Sequence, residues 1–441
     1  MPLQALDHVL RGDRGRLLAA LIARTGDFQR AEDALQEAAA AALVHWRRGG
    51  VPADPAAWLL RAARRKTIDA WRGDGAASRN QASLALLASE EAADPDPQDI
   101  PDERLRLIFT CCHPALEPKT RVALTLRTIC GLTTAQIAAV FLDAEPTMGQ
   151  RLSRAKAKIA AAGIPYAVPG PELWPERLNA VLVVVYLIFT TGYTAGPAAG
   201  LELCAEAIHL ARMLDALRPG EAETEGALAL MLLTEARRPA RVGPDGATVP
   251  PADQDRGLWD QALIDEGLRI LDRAMTRRAP GPFQIKAAIA ALNVAAPPTD
   301  WPQIAALYTR LLDWEPTPVV RLNRAVALAQ AGALDTAAQA IDALSAELDG
   351  YQPFHAARAD LRLRQGRIAE SIADFDRAIA LAPHPADALF LRRRRDAAMI
   401  SAPSRVLPHE NEKKAEQKLG PSPTGRYEGM RETQSRLRRS I

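Results

Sequence analysis

The sequence predicts an all-α protein, and three observations support that prediction. Alanine, leucine and arginine dominate the 441 residues, and the polar/apolar alternation that is typical of strands is scarce. Apolar residues recur every three or four positions through long stretches, as in residues 28–46. With 48% hydrophobic residues, the chain is long enough to form two or three buried cores.

The overall charge gives no sign of a nucleic-acid-binding protein. The formal net charge is only +2, so any binding to nucleic acid has to come from local clusters of basic residues. The N-terminal residues carry charges throughout, unlike a signal peptide. The longest apolar run, residues 180–189, is too short to span a bilayer and predicts a buried helix. Four cysteines without the spacing of a disulfide framework fit a reducing compartment, so we expect a cytoplasmic protein without a membrane segment.

The first helical block spans residues 5–75. A long helix follows the break at Gly26 and Asp27, and a second helix follows a loop rich in glycine and proline. The exposed side of the first helix is expected to be acidic and polar, formed by Glu32, Asp33, Gln36 and Glu37. The second helix is basic, with Arg61, Arg64, Arg65, Lys66 and Arg72. Taken alone, either run of charge is explained as a solvated helix face.

Residues 76–103 have the composition of an acidic flexible linker. They are rich in glycine, alanine and serine at first and then acidic, with seven acids and no base between Glu90 and Glu103. Their composition predicts a solvated connection between two folded parts of the chain.

Residues 104–162 contain a helix-turn-helix pattern at Gly131–Ile159. Thr133 and Gln136 have the spacing of a capping box, and Pro146 suits the start of the second helix. That helix has an apolar side and a basic outer side, which can enter a major groove and read base edges. An amphipathic surface helix is the alternative, because this pattern alone is not specific. The apolar side consists of Met148, Leu152, Ala155 and Ile159.

These motifs resemble two conserved regions of bacterial sigma-70-type factors of the extracytoplasmic-function class. The stretches GDFQRAEDALQEAAAAALVHW and PAAWLLRAARRKTIDAWR are similar to region 2, and GLTTAQIAAVFLDAEPTMGQRLSRAKAKI is similar to region 4. Two independent matches in the right order are far more specific than either one alone.

The resemblance implies three binding surfaces on an alternative sigma factor. The acidic helix would bind the clamp helices of the largest polymerase subunit through Glu32, Asp33, Gln36 and Glu37. The basic helix would contact the −10 promoter element through Arg61, Arg64, Arg65, Lys66 and Arg72. Region 4 would contact the −35 element through Thr147, Met148, Gly149, Gln150, Arg151, Ser153, Arg154 and Lys156. The acidic linker would thread a basic channel of the polymerase, with a solvated linker as the alternative.

Two positions depart from the family pattern. Arg65 stands where relatives often have asparagine, and Gly149 lies where the recognition helix often has a side chain. Trp46, Trp58 and Trp71 could stack on melted bases, but for Trp58 the apolar surroundings favour a place in the core.

Cys111, Cys112 and His113 suggest a metal or redox site at first sight. Adjacent cysteines seldom both bind one tetrahedral zinc ion, and the sequence has no CxxC pair. We therefore predict buried structural cysteines, with no metal and no cofactor.

A helical extension follows region 4 and covers residues 172–397. It resembles one subgroup of the extracytoplasmic-function class that has such an extension. At about 317–384 the pairs Gly332/Gly366 and Ala325/Ala359 repeat at the 34-residue period of tetratricopeptide repeats. Two copies are marginal alone, so the predicted fold is an α-solenoid in which the preceding helices stack as divergent repeats.

The sequence is compatible with two roles for the extension. Its concave face would bind a peptide or partner segment, or the whole extension would be a structural lid on regions 2 and 4. The stretches QDRGLWD and GPFQIKAAIA offer polar groups, but a metal cluster, a nucleophile with its base and a phosphate loop are missing, so no enzyme is predicted. Residues 402–441 form a basic tail that we expect to be disordered.

The predicted function is therefore an alternative sigma factor that directs promoter-specific transcription under control of a fused helical repeat domain. Its expected partners are core RNA polymerase and promoter DNA. The subgroup resemblance adds a small DGPF-type (YCII-related) protein as a candidate partner. The main alternative is a helix-turn-helix regulator that binds DNA without engaging polymerase, and a second is an enzyme whose active site lies in the extension.

Overall fold

The computed structural model describes residues 2–73, 103–141, 143–194 and 197–401. Within these ranges the regular elements are helices, apart from one isolated bridge between Val242 and Thr248, so the predicted all-α class is confirmed. The predicted linker, apart from residue 103, and the predicted basic tail lie outside the described residues. The chain divides into two compact units, residues 1–217 and 218–441.

The first unit contains ten helices in its described part. They are α1 (Pro2–Gly12), α2 (Arg14–Thr25), α3 (Phe28–Gly49), α4 (Pro55–Gly73), α5 (Arg104–Cys111), α6 (Pro118–Thr128), α7 (Thr134–Phe141), α8 (Glu145–Ala161), α9 (Trp174–Thr194) and α10 (Pro197–Leu217).

Helices α1–α4 form a bundle whose start and stop signals are local. Gly26 ends α2 with a φ of 66°, which a side chain would strain, and the Asp27 carboxylate caps α3 by accepting hydrogen bonds from two backbone N–H groups. In the core, the Trp46 ring packs edge-on against Trp58 with centroids 5.6 Å apart. Trp46 is only 2% exposed, so the suggestion that it stacks on melted bases is wrong. The side chain of Trp71 lies outside the described residues.

Helices α7 and α8 form the predicted helix-turn-helix. The Thr133 N–H donates to Gln136 Oε1 at 2.8 Å, and the Gln136 N–H donates to Thr133 Oγ1 at 3.2 Å, so the capping box is confirmed. Pro146 is the second residue of α8, where its missing N–H costs nothing. All four residues of the predicted apolar side of α8 are buried.

The four cysteines are buried, as predicted for structural residues. Cys111 and Cys112 lie within hydrogen-bonding distance of the hydroxyls of Thr128 and Thr125. Burial raises the pKa of the Cys112 thiol to about 11, although the Thr125 hydrogen bond opposes the shift. These thiols are therefore protonated and unreactive at neutral pH.

Helix α9 contains the long apolar run and packs on α5 and α6. Its length and composition would allow a membrane span, but more than half of its apolar window is buried, as in the core helix of a soluble protein. The Trp174 ring lies 5.0 Å from the Phe109 ring, and Arg177 Nη2 donates to the Phe109 carbonyl at 2.6 Å. The predicted buried helix at residues 180–189 is confirmed, since Val181, Ile188 and Phe189 are buried.

The second unit also has ten α-helices in its described part. They are α11 (Ala222–Glu235), α12 (Gln261–Thr276), α13 (Pro282–Val294), α14 (Trp301–Leu311), α15 (Pro318–Gln330), α16 (Leu334–Asp342), α17 (Ser345–Leu348), α18 (Gln352–Arg364), α19 (Ile368–Ala380) and α20 (Pro385–Ser401).

Helix pairs occur at the residues where the 34-residue period predicts them. Helices α15 and α16 are joined at Gly332, and α18 and α19 at Gly366, and both glycines have a positive φ. In the second pair Ala359 and Phe375 are buried, and Ser371 Oγ donates to the Ala359 carbonyl at 2.8 Å. The geometry fits paired repeats, and the tetratricopeptide assignment stays a prediction.

The QDRGLWD stretch, Gln254–Asp260, has a structural role. Arg256 Nη1 donates to the carbonyl of Ala295 at 2.8 Å and so caps the end of α13, and Asp260 caps the start of α12. The guanidinium groups of Arg237 and Arg256 both lie over the Trp259 ring, at 5.4 and 4.6 Å from its centroid. These polar groups therefore connect helices of the second unit.

Helices α11 and α13 approach each other at the backbone. A Cβ atom added to Gly226 would lie 2.7 Å from the Gln284 nitrogen, closer than real Cβ atoms come. Beside it, the Glu223 carboxylate accepts hydrogen bonds from the Phe283 and Gln284 N–H groups at 2.9 and 3.1 Å and caps α13. The crossing therefore depends on a glycine and on a cap that comes from another helix.

Candidate nucleic-acid interface

A basic groove runs between the start of α6 and the outer side of α8. Its volume is about 280 Å³, and its rim is polar and mostly cationic. It places the guanidinium and ammonium groups of α8 beside the N-terminus of α6, where backbone N–H groups favour anions. The lining residues are Leu116, Glu117, Thr120, Thr147, Gln150, Arg151, Arg154, Ala155 and Lys158.

The structure brings together four of the eight residues predicted to contact the −35 element. Thr147, Gln150, Arg151 and Arg154 all line the groove. Hydroxyl and amide side chains can read base edges there, and arginines can bind phosphates or guanine.

The other four residues of that set lie elsewhere. Met148 is completely buried on the apolar side of α8, so its predicted contact with bases is wrong. Gly149 is half-buried, and Ser153 is exposed outside the groove lining. Lys156 points away from the groove and pairs with Glu32 of α3.

Arg151 is oriented by an acid that sequence analysis did not single out. Asp143 accepts a hydrogen bond from Arg151 and lies 3.3 Å from Lys119 Nζ. The hydrogen bond from Arg151, helped by Lys119, lowers the pKa of Asp143, so this carboxylate stays charged well below neutral pH. This ion pair is partly exposed and holds the guanidinium at the groove.

The predicted −10 residues lie along one helix, α4. Arg65 and Lys66 are exposed, while Arg61 and Arg64 are half-buried. Lys66 Nζ lies 3.5 Å from the carboxylate of Glu37 on α3, and both side chains are well exposed. The side chain of Arg72 lies outside the described residues.

The predicted acidic surface on α3 is smaller than the sequence suggests. Asp33, Gln36 and Glu37 are exposed on successive turns, as expected. Glu32 is not: its side chain is 4% exposed and surrounded by Arg14, Arg127 and Lys156. The expectation that Glu32 is exposed is therefore wrong, because three cations from α2, α6 and α8 cover it.

Three polar residues of the groove are not among the predicted site residues. Lys158 is one turn beyond Arg154 on the basic side of α8, and helical spacing alone could have included it. Glu117 and Thr120 come from α6, and only a Pro118 helix-start signal marked that segment in the sequence. Nothing in the sequence indicated that this helix start faces α8.

Replacing Arg154 and Lys158 together by alanine is expected to weaken binding to a mixed-sequence DNA duplex. If each cation neutralises one phosphate, the slope of log K against log salt becomes shallower by about 2. Fluorescence anisotropy at several salt concentrations measures this slope. Arg310→Ala, an exposed arginine of α14, is the matched control and should leave the slope unchanged. An unchanged slope in the double variant would show that the groove is not part of the DNA interface.

Comparisons with known proteins find matches to both predicted regions, which follow each other along the chain in the predicted order. Residues 11–76 match the family described as sigma-70 region 2, and residues 106–159 match sigma-70, region 4. Residues 177–275 match a family of unknown function, DUF6596. An uncharacterised protein of Rhizobium meliloti (strain 1021), R00370, is 40% identical over 422 residues, which covers 92% of this chain and 98% of that protein. No solved structure gives a significant match.

Proposed function

Because the chain belongs to the sigma-70 family of RNA polymerase sigma factors, we propose that it is an alternative sigma factor controlled by its own C-terminal extension. As a sigma factor it binds core RNA polymerase and promoter DNA. The observation that carries this function is the presence of region 2 and region 4 in order on one chain. The finer proposal places it in the extracytoplasmic-function class, in the cytoplasm with its polymerase, and without chemistry of its own.

Each surface receives a role in this proposal. Asp33, Gln36 and Glu37 on α3 contact the clamp helices of the largest polymerase subunit. The basic side of α4 contacts the −10 element. The groove of α6 and α8 contacts the −35 element. This role is supported by the two arginines and the lysine that line the groove, because such cations bind backbone phosphates.

Control by the extension is supported by the packing of α9 on region 4. Residues 177–275 match a separate family, yet Arg177 hydrogen-bonds the Phe109 carbonyl at 2.6 Å, and Trp174 packs on the same residue. A change in the extension can therefore reach the core of region 4 through α9. We propose that the repeat-like helix pairs at about 317–384 bind the controlling partner, for which a small DGPF-type (YCII-related) protein is the candidate.

The test is promoter-specific transcription in vitro with core polymerase and this protein as the only specificity factor. Templates come from a random promoter library. The expected result is a set of enriched transcripts that share −35 and −10 sequences. DNA binding without initiation, even with the candidate partner present, would instead favour a helix-turn-helix regulator that does not engage polymerase.

Whether the extension restrains the protein or is required for its activity can be tested with a truncation that leaves region 4 intact. A chain ending near Ala162 would remove α9 and expose Phe109, so loss of activity there would only report unfolding. A chain ending at Leu217 keeps the whole first compact unit. Higher activity of that chain would show restraint by the extension, and lower activity would show that the extension is required.

A further inference from the structure

Asp143 lies in the turn between α7 and α8, at the edge of the basic groove. Its backbone N–H donates to the Ala138 carbonyl at 2.9 Å, which anchors the turn on α7. Its carboxylate accepts a hydrogen bond from Arg151 Nη1 on α8 and lies 3.3 Å from Lys119 Nζ on α6. The Asp143 side chain is less exposed than either of the two cations beside it. Asp143 therefore links the two helices that form the groove.

Arg151 is held by one of its three side-chain nitrogen atoms. Nη1 donates to the Asp143 carboxylate and lies 3.9 Å from Sδ of Met148, which is buried on the apolar side of α8. In the part of the chain that the structure describes, Nη2 and Nε of Arg151 have no protein acceptor. A guanidinium fixed in this way presents its remaining N–H groups in one plane toward the groove. Parallel donors of this kind match the O6 and N7 acceptors of guanine.

The carboxylate of Asp143 also changes what the Arg151 guanidinium attracts. A backbone phosphate is bound mainly through its negative charge, and a carboxylate next to the guanidinium repels that charge. The edge of a guanine is neutral and needs only well-placed donors, which Arg151 keeps. Lys119, the other cation beside Asp143, is not among the residues that line the groove. The pair of Asp143 and Arg151 is therefore better suited to a base edge than to a phosphate.

Two other cations of the groove have no such carboxylate. Arg154 lies one turn beyond Arg151 on α8, and Lys158 lies one turn beyond Arg154. Among the described residues, neither side chain has an ion-pair or hydrogen-bond partner. Their charges are therefore uncompensated and their side chains can adjust, which suits contacts to phosphates, where charge matters more than orientation. The same groove thus contains one oriented cation and two adjustable ones.

We propose that Asp143 determines promoter specificity in this protein: it orients Arg151 to read a guanine, whereas Arg154 and Lys158 bind backbone phosphates. Asp143 acts through Arg151 and is a positioning residue. Orienting the side chain before DNA arrives lowers the rotamer entropy that is lost on binding the base. The inference rests on the proposed function, because it assumes that the groove of α6 and α8 lies on promoter DNA.

The test compares lysine substitutions at the two arginines. Lysine keeps the charge of arginine but cannot form two parallel hydrogen bonds. Promoters with a randomised −35 element are transcribed by core polymerase with the full chain, and the transcripts are sequenced. Arg151→Lys should lower the preference for guanine at one −35 position about tenfold. Arg154→Lys is the matched control and should leave every base preference unchanged, because a phosphate accepts either cation.

Asp143→Asn tests the positioning role with a result that unfolding would not give. The same guanine preference should fall about tenfold, because Arg151 is no longer oriented before it meets the base. Binding to a mixed-sequence duplex, measured by fluorescence anisotropy at constant salt, should become about twofold tighter, since a negative charge beside the DNA is removed. Asp313→Asn removes the exposed partner of Arg310 in the second compact unit and is the matched control that should change neither quantity.

The outcomes separate this inference from the proposed function. An unchanged guanine preference in Arg151→Lys or in Asp143→Asn overturns the assignment, and so does a loss of preference in Arg154→Lys. A preference that falls in Asp143→Asn together with mixed-sequence affinity shows an effect on the fold and also overturns the positioning role. If even the wild-type chain directs no promoter-specific initiation, the sigma function is overturned instead. The role of Arg151 is then read from duplexes of the same library that bind the full chain directly, where the same losses are expected.

Discussion

Replacing Asp33, Gln36 and Glu37 by alanine is expected to lower promoter-specific transcription at least ~30-fold when core polymerase is limiting. The three side chains are exposed on successive turns of α3 and form the polar surface that region 2 presents. Central residues of a protein interface often contribute about 2 kcal/mol each, and a loss of about 2 kcal/mol is about 30-fold in affinity. Glu32 is left unchanged in this variant, because it is buried among Arg14, Arg127 and Lys156 and its removal would leave these cations without their carboxylate.

Titrating polymerase in a run-off transcription assay measures this effect. The matched control replaces Asp265 and Asp335, two exposed acids of α12 and α16, by alanine and removes the same charge. DNA binding should be unchanged in both variants, since none of these residues lines the groove. The lost ion pair between Glu37 and Lys66 is exposed and contributes at most about 1 kcal/mol to stability. Equal activity of the triple variant and the control would show that α3 is not part of the polymerase interface.

Gly226→Ala is expected to destabilise the second compact unit by about 2 kcal/mol. The added methyl group would meet the Gln284 nitrogen at 2.7 Å and its Cα at 2.9 Å, both backbone atoms that cannot rotate away. Helices α11 and α13 would have to separate, which costs about 3 kcal/mol, while alanine gains about 1 kcal/mol in helix propensity. Separation would also loosen the Glu223 cap at the start of α13.

Hydrogen exchange read by mass spectrometry localises this effect. Peptides from α11 and α13 should exchange about 30-fold faster than in wild type, which corresponds to about 2 kcal/mol. Gly149→Ala is the matched control, because its added Cβ would have only an ordinary contact at 3.9 Å in α8. That control should slow exchange in α8 through the gain in helix propensity. Slower exchange in α11 after Gly226→Ala would show that the two helices can adjust without cost.

Neighbouring residues in the sequence determined much of the fold. The capping box at Thr133 and Gln136 and the apolar side of α8 depend on residues a few positions apart. The turns at Gly332 and Gly366 likewise depend on local backbone conformation. Caps, turns and helical periodicity act over about one to four residues, so a single sequence shows them directly. The same local patterns supported the resemblance to regions 2 and 4.

Only the tertiary structure decided which candidate residues are accessible. Helical spacing placed Glu32 beside Asp33, but two of the three cations that cover Glu32, Arg127 and Lys156, lie more than ninety residues away in the sequence. The groove likewise needed α6 to lie against α8 before Thr120 and Lys158 could line it together. Contacts between distant segments follow from how whole helices pack, and periodicity within one helix carries no information about its partner. The sequence by itself therefore determined the helices and the family resemblance, and packing decided which charged residues face solvent and which hold the two regions together.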